Sequence, residues 1–107
     1  MIEFARQKLT EYRLNGPVFG HAGDGNFHVG IFYNPEDPDE KARAQAANDA
    51  IVFQALELGG TATGEHGVGL GKIKFMQAEH GASYELMRQI KRLLDPNGIL
   101  NPGKIFA

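Results

Sequence analysis

Two glycine clusters punctuate a chain otherwise patterned for helices, and they limit where regular structure can run. The first is Gly20-His21-Ala22-Gly23-Asp24-Gly25-Asn26-Phe27-His28. Strand-like residues flank it, Pro17-Val18-Phe19 before and Val29 to Tyr33 after. In one unbroken strand, histidines seven apart point to opposite faces, because strand side chains alternate. Glycine takes positive φ and leaves room for close backbone approach. The pattern therefore predicts strand, glycine-rich turn, strand, with His21 and His28 free to converge. In the second strand Phe27, Val29, Ile31 and Tyr33 form the core face. Asn26, His28, Gly30 and Phe32 point the other way, with space above Gly30.

Helical periodicity fills much of the remainder. Residues 2 to about 14 read as an amphipathic helix with Phe4, Leu9, Tyr12 and Ala5 on one face, stopped by Asn15-Gly16-Pro17. Asp37-Pro38-Asp39-Glu40 opens a second helix, with Asp37 as N-cap, Pro38 at the first position and Glu40 completing a capping box. It runs to about Leu58 on an apolar stripe of Ala47, Ile51, Ala55 and Leu58, broadened by Val52 and Leu56. Thr61-Ala62-Thr63 is short and β-prone. It leads into the second cluster, Gly64-Glu65-His66-Gly67-Val68-Gly69-Leu70-Gly71. A helix over about Lys72 to Glu79 follows. A last helix, capped by Ser83, carries Leu86, Met87, Ile90, Leu93 and Leu94 at helical spacing. Asp95-Pro96-Asn97-Gly98 is a turn. Phe4, Phe53 and Phe75 read as core. The order α-β-β-α-β-α-α is an α+β arrangement with a thin sheet. A surface from another domain or another copy would complete that sheet.

Composition narrows the function classes. The chain has 107 residues, enough for one domain with a modest core. Its net charge of -2 gives no pull toward nucleic acid or anionic lipid. No apolar run approaches the roughly 20 residues of a membrane span. The start, Met1-Ile2-Glu3-Phe4-Ala5-Arg6, has no secretory signature, so a cytoplasmic location is expected. With no cysteine, disulfides, thiolate nucleophiles and Cys-ligated zinc are excluded. Any metal must use histidine and carboxylate.

His21 and His28 supply imidazoles suited to zinc and other divalent first-row ions. Glu65 is the natural third ligand. Adjacent side chains diverge, so His66 would face a substrate as a general base, a role imidazole fills near neutral pH. Two histidines and a carboxylate leave positions open for Lewis-acid work. Other motifs fail. Gly71-Lys72 lacks the Ser/Thr of a phosphate loop, with Ile73 in its place and His66 where the first glycine belongs. No dinucleotide fingerprint and no H-e-x-x-H helix occur. Asp24 reads as a turn-former or a partner to a ligand histidine, and His80 as a structural residue at a helix end. Lys72 and Lys74 are solvated or receive a substrate carboxylate.

Three segments occur in order: Gly20 to His28, Gly64-Glu65-His66-Gly67-Val68-Gly69, and Leu94-Asp95-Pro96-Asn97-Gly98-Ile99-Leu100-Asn101-Pro102-Gly103-Lys104-Ile105-Phe106. Together they resemble the C-terminal part of the FAD-linked oxidases of the vanillyl-alcohol oxidase superfamily. The nearest branch holds glycolate oxidase D subunits, D-lactate dehydrogenases and D-2-hydroxyglutarate dehydrogenases. The resemblance implies half of a ferredoxin-like cap domain acting on D-2-hydroxy acids. His21, His28 and Glu65 would be ligands of a divalent metal, zinc in some members. His66 would take the hydroxyl proton while hydride passes to FAD. Asn26 and His66 would contact substrate, and Asn101 would lie near the flavin. Gly30 departs from relatives with a polar residue there.

FAD would be held mainly by an FAD-binding domain or subunit outside this chain, so the isolated chain is expected to be inactive. The partners implied are a small 2-hydroxy acid and that FAD-binding unit, with self-association possible on the half-built sheet. The alternative is a stand-alone metal- or small-ligand-binding module that self-associates. A metallohydrolase using His21, His28 and Glu65 is a weaker third reading.

Overall fold

A computed structural model of the chain describes residues 1–106. The chain divides into two compact units, Met1–Gly59 and the segment from Gly60 onward. Among the described residues the architecture is α+β: four α-helices and one two-stranded antiparallel ribbon.

In the first unit, α1 spans Ile2–Glu11 and buries Ala5 and Leu9. It stops before Asn15-Gly16-Pro17. Arg13 adopts φ 56, Leu14 N–H returns to Leu9 C=O (2.8 Å) and Arg13 N–H to Thr10 C=O (3.1 Å). That is a Schellman ending, with Leu14 closing onto Leu9 in the core. Arginine stands where glycine usually does, which hid the stop. Strand β1 (Val18–Phe19) pairs with β2 (His28–Val29), Val18 opposite Val29 and Phe19 opposite His28. The same register continues outward through Gly30 N–H to Pro17 C=O (2.8 Å) and the Asn15–Phe32 bridge. Val18, Val29 and Ile31 pack on the buried cluster of Leu9, Leu14, Ala44 and Ala47. Phe32, on the other face, is 66% exposed, so the faces alternate as expected as far as Ile31, whereas Tyr33, expected on the core face, is exposed at the end of the ribbon. The space expected above Gly30 is filled: a Cβ there would fall 2.8 Å from Pro17 Cδ.

Helix α2 spans Pro38–Glu57. Asp37 Oδ1 accepts the N–H groups of Asp39 (3.0 Å) and Glu40 (3.3 Å), a cap that contributes about 1 kcal/mol. Glu40 does not complete a box. Its Oε2 accepts Asn34 N–H instead (3.1 Å), fastening the preceding loop. The buried stripe is Ala44, Ala47 and Ile51. Leu58 and Phe53, expected inside, are exposed. Small alanines let α1 and α2 approach closely, and Arg43 donates to the C=O of Tyr12 (2.7 Å) and Arg13 (3.2 Å). Those are carbonyls that the end of α1 leaves without helical partners.

In the second unit, Thr61–Thr63 is not a strand. Glu79 explains why: its carboxylate takes the Thr61 hydroxyl and the Ala62 N–H, so these groups are satisfied without a ladder. The helix expected over Lys72–Glu79 is a 3-10 turn, Ile73–Phe75, running into α3, Met76–His80. Gly81 (φ 52) separates it from α4, Ala82–Leu94. Ser83 lies inside α4 rather than capping it. Phe75, Met76 and Tyr84 are buried.

The packing of α4 inverts the expected one. Leu86, Ile90, Leu93 and Leu94 are 49–79% exposed. The opposite face, carrying Tyr84, Arg88, Lys91 and Asp95, packs under the C-terminal tail. The Asp95 carboxylate, 4% exposed, accepts the Lys91 ammonium and the N–H groups of Ile99 (3.1 Å) and Leu100 (3.0 Å). Lys91 also donates to Leu100 C=O (2.6 Å). The Lys91 hydrogen bond, aided by those two backbone N–H groups, holds the Asp95 carboxyl below its ordinary value of 3.8. A lowered folded pKa means the contribution to stability is complete above that ordinary value. It is lost as pH falls through the lowered one. The amides of Ile99 and Leu100 are therefore expected to lose exchange protection below about pH 4. Asp95→Asn should give the same loss at neutral pH, both read by NMR. Unchanged protection in Asp95→Asn at neutral pH would remove Asp95 as the anchor of the tail.

Candidate functional site

The first glycine loop is built around a close approach. Gly20 has φ 149, and a Cβ there would sit 2.6 Å from Phe27 Cα and 2.7 Å from Asn26 O. Only a residue without a side chain lets the two chains run this near. Beyond it, Ala22–Asp24 forms a 3-10 turn with His21 at its N-cap. His21 C=O accepts Asp24 N–H (2.9 Å) and Asn26 N–H (3.2 Å). The second bond ties His21 to Asn26 beyond the paired residues of the ribbon, which end at Phe19 opposite His28. His28 therefore stands on the ribbon, and His21 at the head of the turn that follows β1. His21 is exposed. His28 is half-buried, its ring 5.3 Å from that of Phe19. Asn26, two residues earlier, is half-buried, and Asp24 closes the exposed turn.

The second loop is two successive turns. Gly67 N–H returns to Gly64 C=O (3.1 Å), placing Glu65 and His66 at the centre of a tight turn. Val68 to Lys72 forms the next, with Lys72 N–H to Val68 C=O at 3.4 Å. The expected divergence of Glu65 and His66 does not occur. His66 Nε2 lies 3.6 Å from Glu65 Oε1, and both side chains are more than half exposed. Neighbours alternate in a strand, but a four-residue turn imposes no such alternation. Solvent screening leaves the pair little attraction. Its consequence is chemical: an acceptor carboxylate and an imidazole sit together on an accessible turn.

Asn101 has φ 45, a left-handed conformation asparagine tolerates. It borders an open groove of about 320 Å³ lined by Arg88, Lys91, Arg92, Lys104 and Phe106, so this wall is rich in cations. His80 ends α3, half-buried, with Nε2 4.0 Å from Glu79 Oε1. Lys74 lies over the Phe75 ring, 5.1 Å from its centroid. Glu79, Asp95 and Tyr84 carry structural weight that spacing alone did not reveal. The one usable signal was Lys91 four residues before Asp95.

Comparison with known proteins adds the wider frame. The family model described as FAD linked oxidases, C-terminal domain, matches residues 1–105. The mitochondrial D-lactate dehydrogenase [cytochrome] of Arabidopsis thaliana is 42% identical over 99% of this chain and 19% of its own length. The mitochondrial D-lactate dehydrogenase [cytochrome] 1 of Saccharomyces cerevisiae is 43% identical over 99% of the chain and 18% of its own length. Glycolate oxidase subunit GlcD of Bacillus subtilis is 39% identical over 100% of the chain and 23% of its own length. The chain thus spans about a fifth of these relatives. No helix among the described residues is long and apolar enough to cross a membrane.

Proposed function

Because this chain belongs to the family of FAD linked oxidases, C-terminal domain, we propose that it is the substrate- and metal-binding segment of a flavin-dependent D-2-hydroxy-acid oxidoreductase. What supports this reading is the pair of accessible glycine loops, one bearing His21 and His28, the other presenting Glu65 and His66. Relatives named for D-lactate and glycolate point to small 2-hydroxy acids as substrates. The fold is read as half of a ferredoxin-like cap domain. Several relatives are named as mitochondrial, so no cytoplasmic location is proposed.

The donor set fits a divalent cation of the zinc class: two imidazoles and one carboxylate, with no thiolate in the chain. When bound, such an ion supplies Lewis acidity toward the substrate's hydroxyl and carboxylate. FAD, held mainly by a separate FAD-binding domain or subunit, supplies the acceptor for the hydride leaving the α-carbon. His21, His28 and Glu65 hold the ion. Asn26 helps orient the acid. His66 accepts the proton of the substrate hydroxyl, so a proton and a hydride leave together and a 2-oxo acid results. Asn101, which borders the cation-lined groove, would lie near the flavin.

The isolated chain is then expected to bind zinc but to turn over neither D-lactate nor glycolate with added FAD and a dye acceptor. Adding an FAD-binding domain of the family should confer turnover. His28→Ala should weaken zinc binding at least tenfold (about 10–100-fold is lost even with an outer-shell partner). Turnover by the chain alone, or zinc affinity indifferent to His28→Ala, would contradict the proposal. Sizing chromatography separates it from a stand-alone module that self-associates.

A further inference from the structure

Within the second unit the C-terminal tail reaches back to the loop that carries Glu65 and His66. Ile105 N–H donates to Gly69 C=O (2.8 Å), three residues beyond His66 and inside the second turn of that loop. Ile105 C=O accepts the Tyr84 hydroxyl (2.8 Å). The Tyr84 ring stacks on Phe106, centroids 5.7 Å apart, and the Arg88 guanidinium lies 4.9 Å from its centroid. Between the two bonds Ile105 has φ 65. For a β-branched residue this is a true outlier, and it persists only where surrounding structure enforces it. Both backbone groups of the strained residue are therefore occupied, one by the loop and one by α4.

We propose that Tyr84 is a positioning residue for His66. Its hydroxyl holds Ile105 in the left-handed conformation, and Ile105 in turn fastens the turn that follows His66. The tail is a strap whose tension is set by one phenol. This rests on the functional reading of His66 above. The strap's outer face is free to be tested because Tyr84→Phe keeps the ring, its stacking on Phe106 and its contact with Arg88. It removes only the hydrogen bond.

The test begins on the chain itself, by amide exchange. Tyr84→Phe is expected to speed exchange of the Ile105 and Lys72 amides roughly two- to tenfold, the equivalent of one ordinary hydrogen bond, with Ile99 and Leu100 unaffected. Glycine tolerates positive φ without strain. The double variant Tyr84→Phe/Ile105→Gly should therefore recover protection, since the phenol is no longer needed to impose the conformation. In the enzyme completed with an FAD-binding domain, Tyr84→Phe should lower kcat by a similar factor with KM unchanged, and Ile105→Gly should restore it. Exchange that ignores Tyr84→Phe, or loosening without rescue, overturns the strap. Loosening and rescue with unchanged kcat, while His66→Gln abolishes turnover, leaves a strap that positions nothing and overturns the proposal. If His66→Gln is itself without effect, the proposed function fails first and the positioning role falls with it.

Discussion

In a flavoprotein containing this chain, His66→Gln is expected to slow flavin reduction by a D-2-hydroxy acid about 10²–10⁴-fold, the usual contribution of a positioned general base. Glutamine keeps a polar, hydrogen-bonding side chain on the turn between Gly64 and Gly67 but cannot accept the hydroxyl proton. The loss should therefore fall on kcat, with KM within a few-fold of the parent, because the acid is still held by the other groups. Metal content should not change. Glu65→Gln should behave differently, losing metal and substrate affinity together, although its carboxylate lies only 3.6 Å from His66 Nε2. That contact joins two exposed groups and contributes little on its own, so the two variants separate base from ligand. Single-turnover flavin bleaching is the measurement. Reduction within threefold of the parent in His66→Gln would leave the proton without an acceptor and remove His66 from the mechanism.

What could be read from the sequence was what short-range bonds decide. Asp37-Pro38 fixed the start of α2 because its cap bonds reach only to Asp39 and Glu40. The ribbon followed from alternation, and its glycine-rich reversal from the residues between the strands. The errors share a different cause. Thr61–Thr63 has strand-like residues, but Glu79, far along the chain, satisfies its polar groups. The apolar spacing of α4 was real, yet its direction was not readable. The tail, fastened by Asp95 and Lys91, occupies the polar side and turns Leu86, Ile90, Leu93 and Leu94 outward. Arg13 ended α1 in a conformation that its residue type does not advertise. For the candidate site, residue types were legible and local geometry was not. Nothing in Gly64-Glu65-His66-Gly67 announces that the two side chains meet.

Gly20→Ala is expected to destabilise the first unit by about 2–6 kcal/mol. Two independent costs combine. A side chain at φ 149 carries backbone strain of about 1–3 kcal/mol. A methyl 2.6 Å from Phe27 Cα and 2.7 Å from Asn26 O forces apart two stretches of backbone, and overpacking costs about 1–3 kcal/mol more. Backbone cannot swing away as a flexible side chain would, so the loop must open where His21 C=O holds Asn26 N–H. Gly23→Ala is the matched control. It lies two residues past His21 in the same loop, yet nothing falls within 4 Å of its added Cβ and its φ is not positive. Its effect should stay within about 0.5 kcal/mol. Denaturant unfolding of the chain measures the stability difference, and zinc titration of both variants ties it to the histidines. Gly20→Ala should lose zinc affinity along with stability, and Gly23→Ala should lose neither. If the two variants unfold and bind alike, close backbone approach at Gly20 is not what shapes the loop that carries His21 and His28, and the loop's proposed role in the site must be abandoned.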